Sequence, residues 1–324
     1  MALSNASFLP DEQDCAESWR EQRWPDGVEC VECGSKEVQC RTEAYRGYLR
    51  RYKCQVCGKW FNDLTETSLA YSKVELPRWI YLMRELDKGR PVTQIAPEIE
   101  VTYKTALRMA HIVRESLYRQ DEPPTLSDEV EGDDIHLKAG QQGRPCEHRE
   151  ARQRGLKERG RGTYEGDRPL ICVWTQRNSP KMVIEMVKNA GKQALVASAL
   201  DHIKLASRVD TDSWRGYTIL GQCYDHRSVK HSEAYVQDGV HCNTAEAEWS
   251  IFKPWWATYR GVAKRHVYRY LAQYQFRRNR RHLSAIERLE EMIGFVYAFL
   301  FRLFFGSVSP SLFPPSLPCA TFYT

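Results

Sequence analysis

The sequence predicts a mixed α/β domain that follows a small cysteine-rich module and a short helical module. Two Cys-x2-Cys pairs lie near the N-terminus, and a helical periodicity occupies residues 74–120. From Val130 onward, short β-rich runs alternate with helical segments, which is typical of an α/β fold. A length of 324 residues leaves room for two or three such units.

The N-terminal arm, residues 1–25, is acidic and is predicted to form either a short docking helix or a loose segment. It has no basic start and no apolar centre, so it does not resemble a secretion signal. With eleven cysteines, of which four follow a metal-binding pattern, we expect a reducing, intracellular location and seven free thiols. The chain is therefore expected in the cytoplasm.

The cysteine module, residues 26–66, is predicted to be a zinc ribbon. Cys30 and Cys33 form the first pair, and Cys54 and Cys57 form the second. Four thiolates in two such pairs hold one tetrahedral structural Zn2+. The basic segment between the pairs is predicted to be a β-hairpin, with Cys40 as a free thiol within it. Zinc ribbons occur in many nucleic-acid proteins, so this module alone does not define a function.

The helical module, residues 74–120, favours a helix-turn-helix. Helices are predicted over residues 76–89, 91–99 and 102–119, with prolines near the start of the first two and Thr102 as an N-cap. The third helix would bury the stripe Ala106, Ala110, Val113 and Leu117, and would expose Lys104 and Arg108 for the major groove of DNA. A plain helical bundle that joins two domains remains the alternative.

The α/β domain, residues 128–290, contains a basic and aromatic stretch. Between 249 and 286 there is no Asp or Glu, although the net charge of the chain is only +5. This stretch favours a polyanionic partner, and its arginines are candidates for phosphate contacts: Arg277, Arg278, Arg280 and Arg281. An earlier Gly- and Arg-rich segment, residues 148–167, is predicted to be a mobile loop.

The C-terminal part, residues 291–324, begins with an apolar run and ends in a tail rich in Pro and Ser. The run from 293 to 306 is shorter than the roughly 20 residues that a membrane span needs. A buried helix is therefore favoured over a membrane anchor, and no membrane partner is expected. The tail is predicted to be disordered.

Three acids stand out by their positions in the α/β domain. Asp133 lies in the first β run, Asp212 lies at the end of a later one, and Glu246 starts a helix. Carboxylates are the ligands that Mg2+ prefers, and phosphodiester chemistry uses two such ions. The residues alone leave a second interpretation open, in which the two aspartates are surface turn residues and the glutamate is a helix-start charge.

A resemblance favours the first interpretation. The segments VEGDDIHL, TDSWRGY and HCNTAEAEWSIFK resemble the three catalytic blocks of DDE insertion-sequence transposases. The similar branch carries an N-terminal zinc ribbon and a third block His-x-Asn-x-x-Glu, and the similarity extends from about Trp24 to His282. It implies an RNase H-like catalytic domain whose acidic triad is Asp133, Asp212 and Glu246.

The resemblance also implies cofactors, partners and a reaction. Two Mg2+ (or Mn2+) ions would be held by the triad, and the enzyme would nick the ends of a mobile element and transfer the freed strand to target DNA. His241 and Asn243 match residues that introduce the glutamate, and Lys253 matches a basic residue that touches DNA near the cut. All three are candidate DNA-binding residues. Double-stranded DNA is the expected partner, bound by a homodimer or a larger assembly. The competing hypothesis is a DNA-binding regulator without catalytic activity.

The chain departs from that family at several positions. The family commonly has Glu directly after the first Asp, where this chain has Asp134, so Asp134 is an alternative first ligand. Asp210 is a similar alternative to Asp212. Pro254 is expected to kink the helix that begins near Glu246.

Overall fold

The structure is a computed structural model that describes residues 9–43, 45–140, 164, 167–187, 191–230 and 239–298. The N-terminal arm forms helix α1 (Glu12–Arg23), which begins at an Asp11 side-chain cap. Trp19 of α1 is fully buried, and its indole N–H donates to the carbonyl of Asp63. The arm is thus a docked helix, which was one of the two alternatives.

The cysteine module is a three-stranded antiparallel sheet, β1 (Val38–Thr42), β2 (Arg51–Cys54) and β3 (Trp60–Asn62). The predicted hairpin between the cysteine pairs is β1 and β2, whereas the third strand was not predicted. Strand β2 alternates in burial: Tyr52 and Cys54 face a small core with Phe61, and Arg51 and Lys53 face outward.

Three helices follow, α2 (Leu76–Asp87), α3 (Val92–Glu98) and α4 (Tyr103–Gln120). Thr102 caps α4 as predicted, because its side chain accepts from the amide of Thr105 at 3.2 Å. The predicted stripe on α4 is at most 1 % exposed: Ala106, Ala110, Val113 and Leu117.

The predicted α/β class is confirmed by a five-stranded mixed sheet. Its strands are β4 (Glu129–His136), β5 (Leu170–Gln176), β6 (Met182–Val187), β7 (Arg208–Asp212) and β8 (Asp225–Val229). Their order across the sheet is β6-β5-β4-β7-β8. Strand β4 pairs antiparallel with β5 and parallel with β7, so it is the central strand. The carboxyl ends of β4 and β7 therefore lie side by side.

Each face of this sheet is covered by its own helices. One face packs on α5 (Lys192–His202) and the 3-10 helix Tyr217–Gln222, and the other packs on α6 (Asn243–Ala257) and α7 (Val267–Asn279). Strand β5 alternates accordingly, with Cys172 and Trp174 toward α5 and with Val173 toward α6. Gly132 is required where it stands, because a Cβ there would lie 2.1 Å from the Trp174 ring.

The last helix, α8 (Ala285–Ala298), joins the N-terminal modules to the α/β domain. Its residues Met292, Ile293 and Val296 are buried in one core with α1, α2, α4 and Phe276 of α7. The part of the apolar run up to residue 298 is therefore a buried helix, as predicted. Among the described residues, no helix is long and apolar enough to cross a membrane.

Some predictions concern residues outside the described ranges. These are most of the Gly- and Arg-rich segment 148–167, the rest of the apolar run and the C-terminal tail.

Candidate metal centres

The four cysteines of the ribbon converge on one point. The Cys30 and Cys57 sulfurs lie 3.5 Å apart, and the Cys33 and Cys54 sulfurs lie 3.7 Å apart. With a Zn–S bond of about 2.3 Å, the sulfurs of a tetrahedral site are about 3.8 Å apart, so the cluster fits Zn2+. A backbone hydrogen bond from the Cys57 amide is the main cause that lowers the pKa of the Cys54 thiol to about 7, which favours the thiolate that a metal needs.

Within the described parts of the chain, these cysteines are the one group of three or more His, Cys, Asp or Glu side chains whose ligand atoms all lie within 4.8 Å of one another. The three predicted carboxylates do not form such a group. A site for two ions about 3.5–4 Å apart is wider than a single-ion site, so its carboxylates need not meet this distance.

The register of β4 separates Asp133 from its neighbour Asp134. Asp133 pairs with Val173, whose side chain faces α6, and Asp134 pairs with Cys172, whose side chain faces α5. The Tyr217 hydroxyl donates to Asp134 at 2.8 Å on that opposite face. Asp133 is therefore the member of the pair that shares a face with the helix carrying Glu246.

Asp212 and Asp210 lie on β7 and differ in what contacts them. Asp210 is 1 % exposed, and its carboxylate accepts hydrogen bonds from Arg177 and Arg208, each at 2.7 Å. Asp212 is half-buried at the carboxyl end of β7 and accepts from the Trp214 amide at 3.0 Å. The charge of Asp210 is thus neutralised inside the protein. Asp212, in contrast, lies at the end of β7, which is the strand next to β4.

Helix α6 brings the third acid to this place. Glu246 lies in its first turn and is exposed, as are Asn243, Ser250 and Lys253. The spacing 243, 246, 250 and 253 puts these four side chains on one face of the helix. The helix continues through Pro254 to Ala257, so the proline does not end it.

The electrostatics of Asp133 indicate that the three acids interact. Burial is the main cause that raises the pKa of its carboxyl to about 6, and the charges of Asp134, Asp212 and Glu246 act in the same direction. Carboxylates that repel one another in a partly buried place have the donor chemistry that a divalent cation prefers. The residues present therefore fit Mg2+ or Mn2+.

The predicted arginines are largely engaged within the protein. Arg278 forms a bidentate ion pair with Glu248, and Arg280 forms one with Asp121. Arg281 donates to the carbonyls of Pro180 and Ser179. The fourth, Arg277, lies against Gly89. Their contact with DNA stays a prediction, and at least Arg278 and Arg280 also hold the fold together.

The predicted major-groove residues Lys104 and Arg108 are exposed on α4, next to Tyr103, which is 51 % exposed. His111, further along α4, packs on His266 with ring centroids 4.6 Å apart. Helix α4 also packs on α7 and α8, so one of its sides belongs to a helical bundle. The bundle alternative therefore describes the buried side of α4, and the DNA-reading hypothesis concerns the exposed one.

Two residues near the triad were missed by the sequence reasoning. Glu131 is fully buried, and it forms an ion pair at 2.6 Å with the partly buried Arg177 beside the start of α6. His241, which was predicted as a site residue, has its Nδ1 atom 3.2 Å from the same glutamate. The alternation of β4 could have indicated Glu131, because it precedes Asp133 by two positions and must share its face. Nothing local in the sequence indicates Arg177.

Comparisons with known proteins relate this chain to proteins of transposable elements. Residues 125–279 match the ISXO2-like transposase domain. The chain is 34% identical over 263 residues to an uncharacterized protein in transposable element ISH50 of Halobacterium salinarum, and the match covers 79% of this chain and 87% of that protein. The chain belongs to the family of insertion-sequence transposases with an ISXO2-like transposase domain.

Solved structures give a weaker likeness. The Mos1 strand transfer complex shares 13% identity, with 66% of this chain and 74% of that chain covered and a TM-score of 0.26. The simian T-cell lymphotropic virus intasome in complex with a PP2A regulatory subunit shares 12%, with 65% and 66% covered and a TM-score of 0.25.

Proposed function

We propose that this chain is a transposase that binds the terminal inverted repeats of an insertion sequence and catalyses metal-dependent DNA nicking and strand transfer. One observation carries the proposal: Asp133 and Asp212 on neighbouring parallel strands and Glu246 on α6 interact on one face of the sheet. The match to a transposase domain supports the same function. The mixed sheet with helices on both faces supports an RNase H-like catalytic domain.

Asp133, Asp212 and Glu246 would hold two divalent ions. When bound, the ions would supply positive charge for the attacking and leaving oxygens of the phosphodiester. The raised pKa of Asp133 means that this carboxyl holds a proton more firmly than an ordinary aspartate, and metal binding would favour its ionised form. Asn243 and Lys253, on the same exposed helix face as Glu246, would orient the DNA strand near the cut.

The outer face of the ribbon sheet supports DNA binding by this module. The Arg51 guanidinium lies 4.8 Å from the centre of the Trp60 ring, and the Lys53 ammonium lies 5.7 Å from it. Trp60 is 45 % exposed. Basic groups held by an exposed aromatic ring suit a phosphate backbone and a base that stacks on the ring.

The remaining contacts would divide between two surfaces. Lys104 and Arg108 of α4 would enter the major groove as parts of a helix-turn-helix, and the basic stretch that includes Arg277 would contact phosphates. Because two element ends must be held together, we infer that a homodimer or a larger assembly acts on DNA. The reaction would take place at the nucleoid of a prokaryotic cell.

The direct test is incubation of the purified chain with linear DNA that carries the ends of its own element, with and without Mg2+ or Mn2+. We expect nicks at the element ends and joined products only when the metal is present. A matched DNA with scrambled ends is the control. Binding to the ends without cleavage under either metal would favour the regulator hypothesis.

A further inference from the structure

The start of helix α6 has no cap of its own. Its N-cap residue Cys242 makes no side-chain capping hydrogen bond, although the first amides of a helix need acceptors. The acceptor comes from β4 instead: the Glu131 carboxylate accepts from the amides of Thr244 at 2.7 Å and Ala245 at 3.2 Å. It also accepts from the Thr244 hydroxyl at 3.0 Å.

The position of this cap matters because of its neighbours. Glu131 precedes Asp133 by two residues on the same strand face, and Ala245 directly precedes Glu246. A single fully buried carboxylate thus joins the strand of one acid to the helix of another, across 113 residues of sequence. A negative group at a helix N-terminus is also favoured by the helix dipole.

Arg177 extends this connection to the third acid. Its guanidinium donates to Glu131 at 2.6 Å, to Asp210 at 2.7 Å and to the carbonyl of His241 at 2.8 Å. Glu131 and Asp210 are paired across β4 and β7, and each lies two residues before an acid of the triad. Glu131, Arg177 and Asp210 therefore form a connected group next to the three acids. This group contacts β4, β7 and α6, the three elements that carry the acids.

We propose that Glu131 is a positioning residue that, together with Arg177, holds Glu246 at its distance from Asp133 and Asp212. The three acids repel one another, and without the cap this repulsion would move the first turn of α6 away from the sheet. This positioning role rests on the proposed function, because it takes the three acids as the metal site. The hydrogen bonds by which Glu131 caps α6 do not depend on that function.

The cap can be tested without any reaction. Hydrogen exchange of the Mg2+-free protein should show slow exchange in a peptide that covers residues 243–249. In Glu131→Gln that peptide should exchange at least tenfold faster, while the peptides of β4 and β5 stay protected. Thr244→Val removes only the hydroxyl contact and should give a smaller increase, so it tests the same cap if Glu131→Gln does not fold. Unchanged exchange at 243–249 in both variants would overturn the proposal.

The consequence for the site is tested by metal dependence. Loss of groups that orient metal ligands typically weakens metal affinity or activity by about 10–100-fold. We expect Glu131→Gln to raise the Mn2+ concentration for half-maximal cleavage by about tenfold, with unchanged affinity for the element ends. Asp225→Asn, which alters an exposed aspartate on β8, is the matched control and should resemble the wild type.

The two tests distinguish the two ideas. If the wild type never cuts DNA but Glu131→Gln still accelerates exchange at 243–249, the cap stands and the proposed function fails. If the wild type cuts and Glu131→Gln cuts with the same Mn2+ dependence, the positioning role is wrong and the proposed function stands.

Discussion

The two candidate metal sites differ in how they are assembled. The ribbon site takes its ligands from two short turns between Cys30 and Cys57, whose sulfurs already lie 3.5 to 3.7 Å apart in pairs. The carboxylate site takes its ligands from β4, β7 and α6, and these elements are joined by the Glu131 and Arg177 contacts. The first site is local in sequence, and the second exists only once the tertiary fold has formed.

The surroundings of the two sites differ as well. The ribbon has a core of four buried residues: Cys30, Tyr52, Cys54 and Phe61. Because such a small core gives little stability alone, we expect a bound metal to contribute to the folding of the ribbon. The α/β domain has a large apolar core on each face of its sheet, and it should fold without bound metal.

Loss of zinc should therefore have the largest effect. Structural zinc sites in small peptides contribute about 10–16 kcal/mol of apparent binding free energy, and the ribbon should unfold without it. We expect one Zn2+ per chain in the purified protein, and Cys54→Ser should lose the metal and weaken DNA binding. The measurement is metal content together with limited proteolysis of residues 26–66. Cys40→Ser, at an exposed free thiol, should keep the metal. Protein without zinc and with an intact ribbon would contradict the idea.

Removal of a triad carboxylate should have the next largest effect, on cleavage rather than on folding. Asp133→Asn, Asp212→Asn and Glu246→Gln each keep the shape of the side chain and remove its charge. Each should reduce Mg2+-dependent end cleavage on the order of a thousandfold or more. Affinity for the DNA ends should stay the same or rise slightly, because a negative charge near the phosphate is gone.

The neighbouring aspartates are controls of unequal quality. Asp134→Asn should retain measurable cleavage, because Asp134 faces Tyr217 on the opposite side of the sheet. Asp210→Asn should retain some cleavage but lose stability, because it leaves Arg177 and Arg208 without a buried counter-charge. An inactive Asp134→Asn beside an active Asp133→Asn would show that the first ligand is assigned one residue too early.

The contrast between the sites also explains what the sequence could predict. The Cys-x2-Cys spacing predicts the cluster of four cysteines because each of them lies in a turn whose geometry is local. The buried stripe on α4 could be predicted for the same reason, since helical periodicity is local. Asp133, Asp212 and Glu246 were not derivable from spacing, and their prediction as a metal site rests on the resemblance to transposase blocks.

The parts that the sequence did not reveal depend on contacts across the fold. The ion pairs of Arg278 with Glu248 and of Arg280 with Asp121 join residues far apart in the chain, so the basic stretch looked like an open phosphate-binding surface. The shared core of α8 with the N-terminal helices was hidden likewise, because periodicity indicates a buried face but not what covers it.

A smaller effect concerns pH and the carboxylate site. The pKa of Asp133 is about 6 in the folded protein and about 3.9 in an unfolded chain, so the folded state binds this proton more tightly. The free energy of unfolding should therefore fall as pH rises from about 4 to about 6, and the loss should persist at pH 7. Asp133→Asn should raise the free energy of unfolding at pH 7 by about 1–2 kcal/mol, after allowance for solvent screening, and should have little effect on it at pH 4.

Chemical denaturation in magnesium-free buffer at both pH values measures this difference. Added Mg2+ should stabilise the wild type at pH 7 but not Asp133→Asn, because the ligand charge is missing. An equal difference between the two proteins at pH 4 and pH 7 would mean that Asp133 is an ordinary solvated carboxyl.

The smallest expected effect separates basic residues that can contact DNA from those that hold the fold. Arg51 and Lys53 lie on the outer face of the ribbon, whereas Arg278 is bound to Glu248. Each lost phosphate contact should reduce the slope of log affinity against log salt by about 0.9. We expect Arg51→Gln and Lys53→Gln to reduce that slope with unchanged thermal stability. Arg278→Gln should lower the thermal stability and leave the slope nearly unchanged, since its charge is already compensated. A reduced slope for Arg278→Gln and unchanged slopes for Arg51→Gln and Lys53→Gln would show that DNA contacts the basic stretch of α7 and not the ribbon.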